Sequence, residues 1–161
     1  MNPAVPKRVV MKIAFADNIW SRLYGPYGNR SVDMQLRILS ENWDDAVAKE
    51  LFWEELHHQD DIYPATFAAL PWLVELAPPK GAAFEETYLF LSHVIHCACV
   101  DGGTGCDGTG PRGKYRGLST EIADHQHAWI PQSEWLTCED RPVLVRLEQW
   151  FSENWATIAK R

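Results

Sequence analysis

The chain has 161 residues, of which 46% are apolar and 23% charged, a composition typical of one globular domain and unlike that of a disordered chain. Its 22 acidic residues outnumber its 15 lysines and arginines, so the net charge is -7. This balance disfavours a dedicated nucleic-acid-binding protein, which needs a basic surface. No apolar run is long enough to span a membrane and no signal-peptide pattern is present, so we expect a cytoplasmic protein with reduced cysteines and no membrane partner.

The N-terminal part of the chain leaves its local structure open. Residues 9–20 alternate weakly between apolar and polar side chains, which fits either a short strand or the start of a helix. Gly25, Pro26 and Gly28 then interrupt any regular element. Ser31 is a suitable N-cap, so the sequence predicts a helix from there to about Leu39.

A second helix is predicted from about Asn42 to His58, and its apolar residues fall into two groups. One group lies on one side of the helix, and the other lies among acidic residues. The first contains Ala46, Phe52, Trp53 and Leu56, and the second contains Trp43, Val47 and Leu51. Two apolar groups indicate either neighbours on both sides of the helix, or a core face together with an acidic binding face.

Apolar spacing predicts further helices over residues 63–77 and 82–100, a shorter one between Ser119 and Pro131, and a last one beginning near Asp140. Seven glycines between Asp101 and Gly117 predict a flexible loop at about 101–117. We therefore expect a single all-α domain, residues 1–161, with about five or six helices. Short connections make neighbouring helices antiparallel, and such hairpins pack as a compact bundle or as a stacked solenoid.

Two stretches of the chain resemble small bacterial proteins with HEAT/armadillo-like helical repeats. The first is IWSRLYGPYGNRSVDMQLRIL, and the second is ELFWEELHHQDDIYPATFAALPWLVELA. In the second stretch the positions that match the family pattern are Leu51, Leu56, His58, Gln59, Tyr63, Ala65, Thr66, Ala69, Pro71, Trp72 and Leu73. The family usually has glycine where this chain has Asp60, so we expect the turn at this position to differ from the turn of the family. The resemblance covers about residues 18–100.

This resemblance implies antiparallel helical hairpins stacked as a short HEAT-like α–α superhelix that serves as a protein-binding scaffold. Some small acidic proteins of this kind are immunity partners of secreted bacterial toxins. The resemblance therefore leads to the expectation of a non-enzymatic immunity protein, or antitoxin, that binds and occludes a cognate toxin. Fold alone fixes no function, so the expected partner, a toxin domain with a basic surface, depends on the charge pattern as well.

The negative charge is concentrated in one segment of the chain. Between Glu41 and Asp61, Lys49 opposes eight acids: Glu41, Asp44, Asp45, Glu50, Glu54, Glu55, Asp60 and Asp61. An acidic helix face accelerates association with a basic partner, whereas the alternative is a solvated face that only keeps the protein in solution. The residues predicted to bind the partner are Trp43, Asp44, Glu50, Glu54, Glu55, Asp60 and Asp61.

A pattern of histidines and cysteines supports a second hypothesis, a metal-dependent enzyme with a His/Cys/Asp cluster. His93 and Cys97 are four residues apart on a predicted helix and therefore share a face. The other candidate residues are His57, His58, Asp60, Asp61, His96, Cys99, Cys106, His125 and His127. Their spacing matches no zinc signature, and packing in apolar surroundings explains the thiols. We therefore predict no metal site and no cofactor.

Overall fold

A computed structural model describes residues 11–27, 32–58, 61–99 and 136–159 of the chain. The predicted N-cap Ser31, the predicted glycine loop at 101–117 and the predicted helix after Ser119 lie outside the described residues.

The described residues form an all-α fold, as predicted. Its helices are α1 (Val32–Glu41), α2 (Asp45–Glu50), α3 (Pro64–Leu76), α4 (Ala82–Cys99) and α5 (Arg141–Ala159). Short 3-10 turns cover Asn18–Ser21 and Cys138–Asp140, and a π-helical turn, Leu51–Glu55, continues α2. Two antiparallel strands of two residues each, β1 (His57–His58) and β2 (Asp61–Ile62), connect this turn to α3. The helices over residues 63–77 and 82–100 begin and end within one residue of the predicted positions.

Helix α3 lies at the centre of the described fold and packs against α1 and α5. All eight residues from Pro64 to Pro71 are buried. The helix begins at Pro64 because proline needs no amide partner in a first turn. The Thr66 hydroxyl accepts a hydrogen bond from the Tyr63 amide (3.0 Å) and donates one to the Leu56 carbonyl (2.6 Å). This hydroxyl therefore fixes the start of α3 against the end of the preceding helical segment.

The segment before the first 3-10 turn is neither strand nor helix, which resolves the choice that the sequence leaves open. Residues 11–14 are irregular and pack along α3 through Trp72. The Trp72 indole donates to the Ile13 carbonyl (3.0 Å), and the Phe15 ring stacks on the Trp72 ring at 4.1 Å. Because the segment has no strand partner among the described residues, its weak alternation reflects burial against a helix.

Helix α5 packs against both α3 and α4. Its buried residues include Leu144, Leu147 and Phe151, and the Phe151 ring meets the Phe67 ring of α3 edge to face at 5.1 Å. On α4 one face is buried, whereas Leu89 is 57% exposed. None of the helices in the described part of the chain is long and apolar enough to cross a membrane. The stacking of hairpins into a HEAT-like superhelix stays a prediction.

Candidate functional site

The helix within the acidic segment begins later than predicted. The sequence predicts a helix over residues 42–58, but α2 begins at Asp45. The reason is the Asp44 carboxylate, which accepts hydrogen bonds from the amides of Ala46 (2.9 Å) and Val47 (3.1 Å). A side chain that caps these otherwise unpaired amides fixes the helix start, and its negative charge is favourable at that end of the helix dipole.

The helix also ends earlier than predicted, in a π-helical turn that changes the direction of later side chains. The Leu56 amide donates to the Leu51 carbonyl (3.0 Å), five residues earlier, so the turn holds one residue more than an α-helical turn. One extra residue rotates the side chains that follow by about 100° relative to regular helical spacing. The chain then leaves the helix because the backbone of His57 pairs with Ile62 across the two short strands.

Glu55, one of the predicted binding residues, is buried. In a regular α-helix Glu55 lies beside Asp44 and Leu51, which were expected on an acidic binding face, whereas in the structure Glu55 is only 8% exposed. It is buried together with Leu51 and Phe52 of the same turn. Glu55 follows the buried Leu51 by four residues and the buried Phe52 by three, so regular helical spacing already places it on the buried face. The expectation of an exposed Glu55 is therefore wrong, because Leu51 faces the core.

The other acids of this helical segment are exposed. Asp44 and Asp45 lie at the start of α2, Glu50 is its last residue, and Glu54 belongs to the π-helical turn. Neither of the two ion pairs within the described residues involves any of these four carboxylates, which we call the exposed acids. Lys49 is exposed among them. This stretch therefore presents an excess of negative charge to solvent.

The remaining predicted binding residues lie in different environments. Trp43 is partly buried against the core, with its ring 6.4 Å from the Phe52 ring, and its indole donates to the Asp45 carboxylate (3.0 Å). It therefore contributes to the core and has a polar contact beside the exposed acids. Asp61 begins β2, and its side chain is not described, while Asp60 lies outside the described residues.

An exposed apolar pair on α1 was missed by the sequence reasoning. Met34 is 59% exposed and Ile38 is 45% exposed. Met34, Ile38 and Glu41 are spaced i, i+4, i+7 and therefore follow one another along one face of α1. The buried face of α1 consists of Val32, Leu36 and Leu39. The missed signal was a second apolar stripe, which becomes visible once the three buried positions are assigned to the core.

A second group of reactive side chains lies where β1 meets α4. The Nε2 atoms of His57 and His93 are 2.8 Å apart, and the Cys97 Sγ is 3.5 Å from the same His93 nitrogen. The sequence predicted that His93 and Cys97 share a helix face, and the structure places them in contact. In a helix that continued to residue 58, His57 would instead follow Glu50 and Glu54 along the exposed face, but the helical segment ends before His57, which belongs to β1. We call these three side chains the His–Cys cluster.

The surroundings of the His–Cys cluster are aromatic on one side. The Trp53 ring meets the His57 ring edge to face at 5.8 Å and lies 6.0 Å from the His93 ring. Its indole donates to the Glu86 carboxylate (2.6 Å), which holds the Trp53 ring in place. Both imidazoles are partly exposed, whereas Cys97 is 3% exposed. The cluster therefore combines a buried thiol with two imidazoles that solvent can reach.

The other candidate ligands from the sequence lie on α4, in the two short strands or outside the described residues. His96 is exposed on α4, and Cys99 is the last residue of α4. Cys106, His125 and His127 lie outside the described residues. Among the side chains that the structure describes, no three or more from His, Cys, Asp and Glu are already arranged to hold a metal ion.

Comparison of the chain with protein-family models, with curated proteins and with solved structures found no match.

Proposed function

We propose that the protein is a protein-binding module that recognises a basic protein surface through the exposed acids of α2 and the apolar pair on α1. The observation that carries this proposal is the exposure of Asp44, Asp45, Glu50 and Glu54, with Lys49 as the cation among them. These four carboxylates take no part in the ion pairs between described residues. Their negative charge therefore raises the association rate of a positively charged partner.

The apolar pair on α1 supplies an apolar contact surface, which the exposed acids lack. Charged rims mainly set the association rate and specificity, while most binding free energy comes from a few apolar or aromatic residues that the partner buries. Met34 and Ile38 lie on the same face of α1 as the exposed Glu41, and α1 contacts α2. An apolar stripe that continues into negative charge suits a partner with an apolar contact bordered by lysines and arginines.

In its specific form, the proposal is that the protein is a bacterial immunity protein, or antitoxin, that neutralises a secreted toxin by covering its active site. Two features support this form: the resemblance of residues 18–100 to small helical-repeat proteins, and the exposed negative charge. Toxin domains that act on nucleic acids or nucleotides need basic clefts to hold phosphates, and an acidic partner fits such a cleft. The protein itself performs no reaction in this proposal.

A co-purification experiment tests the proposal. The full chain is co-expressed with the product of the adjacent gene, and the affinity is then measured for the wild type and for the Glu50→Lys/Glu54→Lys variant. We expect the double reversal to slow association at least tenfold at low salt and to flatten the dependence of the association rate on salt concentration. A second variant, Met34→Ser/Ile38→Ser, is expected to increase the dissociation rate instead.

The matched control is Glu85→Lys/Glu153→Lys, which makes the same change in net charge at two exposed acids on α4 and α5. If this control slows association as much as the reversal on α2, only the net charge of the protein matters and the proposed surface is wrong. If neither α2 nor α1 variants change the affinity, the interface lies elsewhere. If the adjacent gene product does not bind at all, the immunity-protein form of the proposal fails.

A further inference from the structure

Two separations within the His–Cys cluster can be compared with those of a tetrahedral metal site. With metal–nitrogen bonds of about 2.0–2.1 Å and a metal–sulfur bond of about 2.3 Å, ligand nitrogen and sulfur lie about 3.6 Å apart, and two ligand nitrogens about 3.3 Å apart. The observed separation of His93 Nε2 and Cys97 Sγ, 3.5 Å, already matches the first value. The two imidazole nitrogens, at 2.8 Å, are closer than the second.

The short separation between the two imidazoles has a simple cause. Two ring nitrogens at 2.8 Å share one proton in a hydrogen bond, so one donates and the other accepts. A metal ion between them replaces that proton and pushes the nitrogens apart by about 0.5 Å, which small rotations of two partly exposed side chains accommodate. The cluster is therefore not yet spaced as a metal site, and it becomes one by a small movement.

We propose that His57, His93 and Cys97 bind a divalent transition-metal cation such as Zn²⁺. His93 and Cys97 supply a pair of ligands at i and i+4 on α4, an arrangement that lets one helix chelate a metal, and His57 supplies the third ligand from β1. Two imidazoles and a thiolate are the ligand types that select zinc over calcium or magnesium, which prefer oxygen. This proposal does not depend on the protein-binding function.

Metal binding releases one proton and moves another between the two nitrogens of one imidazole ring. The Cys97 thiol loses its proton to solvent and ligates as the thiolate, and the imidazole that held the shared proton on Nε2 carries it on Nδ1 instead. The metal also connects β1 to α4, and its ligands His57 and Cys97 are 40 residues apart in the sequence. Binding is therefore expected to raise the thermal unfolding temperature, since the unfolded chain has no such preformed ligand set.

The experiment uses the full chain, purified without a histidine tag and stripped of metal, and titrates it with Co²⁺ as a coloured substitute for Zn²⁺. We expect one equivalent of Co²⁺ to bind, to produce an absorption band from thiolate-to-cobalt charge transfer, and to be displaced by Zn²⁺. Cys97→Ser is expected to remove this band. His57→Gln and His93→Gln are each expected to weaken Co²⁺ affinity at least about tenfold, since even residues that only support metal ligands change affinity by that amount.

Two controls come from the same chain. Cys138→Ser changes an exposed thiol outside the cluster, and His96→Gln changes an exposed histidine on α4. Both are expected to leave the band and the affinity unchanged. If Cys97→Ser impairs folding, as judged by its circular dichroism, the His57→Gln variant still decides, because His57 is partly exposed and lies outside the helices. The proposal is overturned if the wild type shows no charge-transfer band, if the band survives Cys97→Ser, or if His96→Gln weakens binding as much as His57→Gln.

Discussion

Arg22 and Asp140 form a two-point ion pair between residues that are 118 positions apart in the sequence. The Arg22 Nε donates to Asp140 Oδ2 at 2.9 Å, and the Arg22 Nη2 donates to Oδ1 at 2.6 Å. Asp140 is 4% exposed and also accepts a hydrogen bond from the Thr137 amide (2.8 Å). This pair therefore joins the segment that follows the first 3-10 turn to the start of α5.

The first prediction concerns the stability that this pair provides. Replacing Arg22 by Ala leaves the buried Asp140 carboxylate without its cation, and we expect the free energy of unfolding to fall by about 2–3 kcal/mol. The loss is smaller than for a completely buried pair because Arg22 is partly exposed. Glu75→Gln, which breaks the more exposed pair with Lys12, is expected to cost at most about 1 kcal/mol. Urea unfolding of both variants measures the difference, and equal losses would contradict the prediction.

The second prediction concerns the pH dependence of stability. Burial alone raises the pKa of Asp140, but the hydrogen bonds from Arg22 and Thr137 and the Arg22 charge outweigh burial and hold this pKa below its ordinary value of 3.8. A carboxyl whose pKa is lower in the folded than in the unfolded state stabilises the fold above the unfolded pKa. This stabilisation is lost as the pH falls through the unfolded pKa towards the folded one.

We therefore expect the difference in unfolding free energy between the wild type and Asp140→Asn to stay constant above about pH 5 and to shrink below about pH 4. Unfolding curves recorded in urea between pH 3 and pH 7 test this. A difference that is independent of pH over this range would show that the pKa of Asp140 is the same in the folded and unfolded states.

The third prediction compares two neighbouring glutamates. Glu54 is exposed, so Glu54→Lys is expected to change the free energy of unfolding by no more than about 0.5 kcal/mol. Glu55 is buried, so Glu55→Lys places a longer, oppositely charged side chain in its position and is expected to cost more than about 2 kcal/mol. Thermal and urea unfolding of the two variants measure this. The reverse order would show that Glu55 lies on the surface and that Glu54 faces the core.

The fourth prediction tests how α3 is held in place. Thr66→Val removes a buried hydroxyl that pairs with both the Tyr63 amide and the Leu56 carbonyl, and we expect a loss of about 1–3 kcal/mol because both backbone groups lose a partner. Thr87→Val is the control. The Thr87 hydroxyl is also buried but donates to the Ala83 carbonyl of its own helix (2.8 Å), so its loss is expected to cost less than about 1 kcal/mol. Equal costs would argue against the role of Thr66 in joining α3 to the preceding turn.

The parts of the fold that the sequence predicted are those controlled by local interactions. Helices α3 and α4 follow from apolar spacing and from Pro64 in a first turn, and α5 begins near Asp140 as predicted. These signals work because capping and periodicity act over a few residues. For the candidate site, the same local reasoning correctly placed His93 and Cys97 on one face of α4.

Only the tertiary structure decided the direction of the residues beyond Leu51. There the Phe52 ring stacks on the Phe90 ring of α4 at 4.7 Å, and the Leu56 carbonyl is held by Thr66, so contacts with two later helices accompany the π-helical turn. These contacts join residues far apart in sequence, and no local propensity reports on them. Glu55 is buried because these contacts turn towards the core the face of the segment that also carries Leu51 and Phe52. The sequence alone determined where α3, α4 and α5 lie and where the negative charge is concentrated, while packing between helices decided which face of the α2 segment is buried and that His57 meets His93.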